Sequence, residues 1–166
     1  TNPVAGESTG IEATVHMPVD DQPIQQSHVK DVVVTLEEDS KIDLSVLNAL
    51  GTCSEAELAS DTCPATSRMG TATAVVPFLP APMTGEIYLT SHSGVRFAYI
   101  LRGARGTIAT LRGSAQPVSS GNGGATIETT LQMLPEVPWS SATLNFTAPI
   151  VKNPTNSCPN ATSWAD

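Results

Sequence analysis

Cysteine, histidine, serine and the carboxylates are the residues of this 166-residue chain with the reach for chemistry, and their spacing limits what each can do. Cys53 and Cys63 flank the polar loop from Ser54 to Thr62. A zinc site would need four ligands at about C-x₂₋₄-C spacing with histidines nearby, and neither condition is met. A disulfide is the expected chemistry, and it places the chain in an oxidising compartment. Closing so short a loop would remove about 3 kcal/mol of unfolded-state entropy in the chain-entropy account. Cys158 is left over. Flanked by Asn156, Ser157, Pro159 and Asn160, it reads as an exposed free thiol, as half of an intermolecular bridge, or as a cysteine whose partner lies beyond a domain boundary.

The other reactive types form no set. His16, His28 and His92 lie far apart, and none belongs to an H-x-x-x-H or H-E-x-x-H pattern, so no metal ligands are expected. No G-x-S-x-G elbow occurs. A Ser91–His92–Asp triad would have to be assembled by chance. The clustered carboxylates are Asp20-Asp21 and Glu37-Glu38-Asp39 with Asp43. Such pairs serve a glycosidase when they face each other across a cleft, or bind Ca²⁺ through oxygen. No EF-hand spacing is present, and loop carboxylates of an acidic chain are usually solvated. No cofactor is therefore expected, with Ca²⁺ as the one ion these groups would suit. Sugar binding would need exposed aromatic faces. Tyr88 and Tyr99, on strands that follow one another, are the candidate platform; Phe97 and Phe146 look like core residues, and Phe78, Trp139 and Trp164 complete the aromatics. The sequons at Asn145 and Asn160 read as incidental.

Charge and composition narrow the partners. Eight basic residues against sixteen acidic ones give a net charge of −8, a field that repels phosphate backbones and anionic lipid. No apolar run approaches the roughly 18 residues of a membrane span. Aromatics are only 4 % of a chain that is 40 % apolar, so the core must be built from Val, Ile, Leu, Ala and Thr, which suits sheets. A chain that opens at Thr1 without an initiator Met is what a processed secreted protein or an excised domain presents.

The elements follow from periodicity. Ile11, Ala13, Val15 and Met17 alternate with polar residues, and Val32, Val34 and Leu36 share one face with Val33 and Thr35 on the other, so both stretches read as half-buried strands. His16 should face solvent. Leu44, Val46, Leu47 and Leu50 suit one helical turn that Gly51 would terminate. Next comes a knuckle: Ser54 and Glu57 make a capping box, Ala56 and Leu58 should face the fold, and Pro64 should stop further helix. Strands are then expected at 70–76, 85–90, 95–102, 106–116, 125–133 and 142–148, separated by turn chemistry in SHSG, GARG, SSGNGG and LPEVPWS.

Several of these pieces, in this order, carry a resemblance. DVVVTL, CSEAELASDTCPATSRMGTA, GEIYL after a proline-rich bend, ILRGARGTI, LPEVPWSSATLNF and NPTNSC span roughly Val29 to Cys158. Together they resemble segments of large secreted actinobacterial proteins built from repeated β domains, mostly of unknown function. The resemblance implies a secreted, non-catalytic β module and brings no catalytic residues to carry over. It also implies a partner for the last cysteine further along, whereas here eight residues follow Cys158.

The sequence therefore predicts an all-β antiparallel β-sandwich, Ig-like in general architecture, with a disulfide-closed helical knuckle. It forms a single domain over 1–166, with a polar leader at 1–9 and an irregular tail at 149–166. The expected function is that of a non-catalytic extracellular structural or cell-surface interaction module. Its partners would be proteins or further copies of the chain, met by strand exchange through Ile11–Met17. Carbohydrate binding is the alternative, and a secreted hydrolase the more remote one.

Overall fold

The computed structural model describes residues 4–17, 31–77, 79–104, 108–119, 125–132 and 139–154. Cys158, His28, Asp20, Asp21, Asn160 and Trp164 lie outside the described residues.

Among the described residues nine strands carry the fold: β1 Ser8–His16, β2 Val32–Thr35, β3 Lys41–Ile42, β4 Arg68–Val75, β5 Met83–Ser91, β6 Arg96–Arg102, β7 Ile108–Ser119, β8 Ala125–Gln132 and β9 Ser141–Lys152. Their spacing and alternation suit a sandwich, but the strands do not divide into two separately hydrogen-bonded sheets. They form one sheet in the order β1-β9-β4-β5-β6-β7-β8-β2, with β3 also paired to β9. Every pairing is antiparallel. The sheet curls into a half-barrel, so side chains from its two ends meet on the concave side. Alternation of in and out along a strand is the same for a curled sheet as for a sandwich, and so cannot separate them.

The two-residue period holds where it was clearest. Ile11, Ala13 and Val15 of β1 sit opposite Phe146, Leu144 and Ala142 of β9, all turned to the concave side, and His16 is exposed. β1 thus pairs within its own chain. On β2, Val32 and Val34 turn inward with Leu36, while Val33 is 55 % exposed. Buried Thr126 secures this end of the sheet by donating to the carbonyl oxygens of Leu36 (2.6 Å) and Glu37 (3.0 Å).

Several boundaries differ from the expected ones. β9 runs four residues past Ala148, through Pro149, because Val151 and Lys152 pair with both β1 and β3. The leader is drawn in by the same stretch: Ser8 and Thr9 belong to β1, and the Asn153 amide donates to the Glu7 carbonyl. Helix α1, Leu44–Ala49, is capped by Asp43 and ends at Leu50 in extended conformation. Gly51 is therefore no left-handed terminator. It is needed for space, since a β-carbon there would lie 2.6 Å from the Thr66 hydroxyl oxygen.

The knuckle forms as read in most respects. Cys53 and Cys63 are joined by a disulfide. Ser54 and Glu57 make both bonds of the capping box around helix α2, Glu55–Ala59. Leu58 is buried, but Ala56 is exposed, because five helical residues present only one side. The α-helical course ends at Ser60, ahead of Asp61 in the left-handed region (φ 54°), and Pro64 does not stop further helix but opens a single 3-10 turn, Ala65–Ser67. The whole unit lies on the convex side, where Cys53, Leu58, Tyr88, Ala98 and Ile100 make a second small core. The Cys53 amide donates to the Leu89 carbonyl at 2.7 Å. Two arginines of the sheet hold the knuckle down: Arg102 bonds Asp61 and Glu86, and Arg112 bonds Glu55. Of the knuckle's carboxylates, Asp61 and Glu55 are each lowered from the usual pKa chiefly by the hydrogen bond from an arginine, and Glu57 by the hydrogen bond from the Ser54 side chain.

Candidate functional site

The candidate groups for chemistry are kept apart. His92 bonds the Leu50 carbonyl through Nε2 at 3.1 Å, while the Ser91 hydroxyl is engaged within its own turn by Ser93, so the two build no catalytic pair. Asp43 is occupied as the cap of α1 and as acceptor from the Ser45 and Ser8 hydroxyls. Among the described residues no group of three or more His, Cys, Asp or Glu is placed to hold a metal. Asn145 points its side chain at Glu12 across β1 and β9.

Tyr88 and Tyr99 form no sugar platform. Tyr88 pairs in register with Ala98 and packs on the convex side beneath the knuckle, whereas Tyr99 pairs with Ile87 and turns to the concave side. Tyr88 is 8 % exposed and Tyr99 2 %, so neither offers a ring face to solvent. Parity on β6 carried this information: Phe97, Tyr99 and Leu101 share a face, and Phe97 reads as core.

What the inward-facing residues do build is an apolar interior with unfilled space. Two cavities of about 70 Å³ and about 50 Å³ lie inside the half-barrel. They share Leu131 and Leu144 as walls, so they adjoin. Val15, Val32, Leu101 and Trp139 line the larger one with Tyr99; Ile11, Val34, Phe97 and Phe146 line the smaller. Either volume exceeds the roughly 10–15 Å³ that one water needs. No charged residue belongs to either lining among the described residues, and besides Tyr99 the lining residues with a polar side-chain atom are Thr73, Thr129 and Trp139.

Aromatic packing fixes the tyrosine. Phe97 meets the Tyr99 ring edge-on at 5.5 Å and 73°, and meets Phe146 likewise at 5.5 Å and 78°. Gly113 of β7 leaves room for this cluster, because a β-carbon there would come within 2.4 Å of the Phe97 ring and 2.9 Å of the Tyr99 oxygen. The Tyr99 hydroxyl is buried, and among the described residues it has no hydrogen-bond partner. Burial among hydrocarbon raises its pKa well above the usual phenol value, so the group stays a protonated donor. An unpaired buried hydroxyl disfavours folding by about 1–3 kcal/mol.

The interior is thus an apolar volume lined mostly by aliphatic side chains, with the rings of Phe97, Tyr99, Trp139 and Phe146 among them. Its geometry suits holding a small apolar molecule, and it brings no nucleophile or acid–base pair together among the described residues. The signal for the cavity was absent from the sequence, since it depends on which strands face each other across the curl. Compared with known proteins, the chain matches no family model, no curated protein and no solved structure.

Proposed function

We propose that this chain is a non-catalytic extracellular interaction module whose binding volume is the interior of the half-barrel. The two halves of the curled sheet face each other as the layers of an Ig-like sandwich do, and the ligand lies between them. The observation that carries this reading is the pair of adjoining apolar cavities walled by Leu131 and Leu144. Eight-stranded barrels stand at the size where the interior is either filled by side chains or holds one small ligand. Together these cavities are of the order of the roughly 150 Å³ void that admits benzene in an engineered protein core. The disulfide supports an oxidising, extracellular setting. Among the described residues no helix is long and apolar enough to cross a membrane.

Titration with toluene tests the reading. Methyl resonances of Leu131 and Leu144 should shift, and that of Ile100 under the knuckle should not. Shifts that are absent, or equal at Ile100, would contradict interior binding.

A second reading concerns assembly. β1 ends the strand order, so the outer backbone edge of Ser8–His16 is the place where another copy or a protein partner could add a strand. Light scattering over a concentration series, repeated with Thr14→Pro to disrupt that edge, tests it; a monomer at every concentration would end it.

A further inference from the structure

The two strands that end the sheet present backbone groups without a ladder partner. The Met17 amide donates to the Ser140 carbonyl, and the Leu36 amide to the Ile127 carbonyl. Bonded residues alternate along an antiparallel ladder, so Ala13 and Val15 turn their amides and carbonyls to β9, and Val32 and Val34 turn theirs to β8. The backbone groups of Glu12, Thr14 and His16 on β1, and of Val33 and Thr35 on β2, point instead to the open side of each strand, where no strand pairs among the described residues. Both cavities run beneath this seam. Val15 and Val32 line the larger one, and Ala13 and Val34 the smaller, so their boundary falls at Thr14 on β1 and at Val33 on β2. Across the seam β1 and β2 are neither hydrogen-bonded to each other nor packed side by side.

We propose that an extended segment of a partner protein enters this seam as a further strand, aliphatic at alternate positions and carrying lysine or arginine between them. This rests on the interior being the binding volume and on β1 being an open edge, and it adds the ligand's chemistry. Because β1 and β2 run antiparallel to one another, a strand between them is parallel to one of the two. β1 is the antiparallel partner, since it is nine residues long against four and antiparallel pairing is the more stable per residue. Residues of the segment with outward side chains then exchange bonds with Thr14 and its neighbours, and residues with inward side chains use the free groups of Val33 and Thr35. Inward side chains two residues apart stand about 6.6–6.8 Å from each other. The same step takes Val32 of the larger cavity to Val34 of the smaller, so one side chain meets each cavity. These side chains are aliphatic because a charge would enter walls with no counter-charge among the described residues. The outer face of the seam is acidic: Glu12, Asp31 and Glu37 are exposed along it, and neither edge strand carries Lys or Arg. A cationic strand complements that face, whereas the β1 edge of a second copy would bring another Glu12.

The probe is the peptide acetyl-KVKVKVK-amide, titrated at low salt by calorimetry with the Leu131 and Leu144 methyl shifts as locator. It should bind and shift both methyls. The same residues in the order KKVVVKK lose the alternation and should bind at least about ten-fold more weakly. EVEVEVE, which sets carboxylates against Glu12, should bind at least about five-fold more weakly. N-methylation of the central lysine removes the amide that faces β1, and should weaken KVKVKVK at least about five-fold. All these comparisons leave the protein unchanged, so no loss can be one of folding. Equal binding of the alternating and clustered peptides, or of the N-methylated one, would overturn the proposal. Binding that moves neither methyl would overturn insertion at the seam and leave β1 an open edge. No binding of KVKVKVK to a protein whose Leu131 and Leu144 methyls respond to toluene would overturn the added strand and leave the interior a binding volume. If toluene fails as well, the interior reading falls and the strand with it.

Discussion

The Asp43 carboxylate is occupied on several sides, first by the Ser45 hydroxyl, then by the Ser8 hydroxyl and the Val46 and Ser45 amides. These bonds hold its pKa well below the ordinary carboxylate range and tie β1 to the start of α1. A carboxyl whose folded pKa is depressed contributes stability above its unfolded pKa, and that contribution is lost as pH falls toward the folded value. The difference in melting temperature between wild type and Asp43→Ala should therefore be constant from neutral pH down to about 4 and shrink below that. A difference that grows on acidification would contradict this account. The cap was legible in principle, since Asp-Leu-Ser just before an apolar-periodic turn is a helix start signal. The inward turn of Tyr99 was legible too, from its parity with Phe97. What no residue pattern announced is that the Tyr99 hydroxyl would find no acceptor, because that depends on every wall around it.

At the scale of elements, the knuckle was the most legible piece. Its capping box, its breaker and its cysteine pair are all local, and local chemistry fixes them. Where it docks was not legible: Arg102 meets Asp61, and Arg112 meets Glu55, across 41 and 57 positions of sequence. Such half-exposed pairs contribute little each. The disulfide carries more, and replacing Cys53 and Cys63 together by Ala should lower stability by about 2–4 kcal/mol. Chemical denaturation measures this. Because the knuckle packs on the convex side, the same variant should leave toluene binding in the interior unchanged; loss of binding in a folded variant would mean the two faces are coupled. Strand register is equally testable on β2. Val34→Asp, which places a charge against the smaller cavity, should cost about 2 kcal/mol or more. Val33→Asp, on the exposed side, should stay within about 0.5 kcal/mol. The reverse order in urea denaturation would put the register wrong by one.

For the molecule as a whole, eight of the nine described strands were expected, β3 at Lys41–Ile42 was not, and the order of the strands was not legible. Which strand neighbours which is set by contacts far apart in sequence, such as β1 and β4 on the two sides of β9. The consequence is topological. With eight strands alternating in direction along the sheet, β1 and β2 end the order and run antiparallel to one another, yet they are not hydrogen-bonded to each other. The curl nevertheless brings Val15 of β1 and Val32 of β2 to the same cavity wall. A sheet that nearly closes, with a core of mostly aliphatic side chains and few rings to fill it, leaves space in the middle. That space is the central claim. Diffraction from crystals of the protein held under xenon tests it most directly, because a dry apolar cavity takes up xenon. The account predicts xenon density between Leu131 and Leu144, within reach of the Tyr99 and Phe97 rings. Finding that space filled by side chains or ordered water, with no xenon, would contradict it.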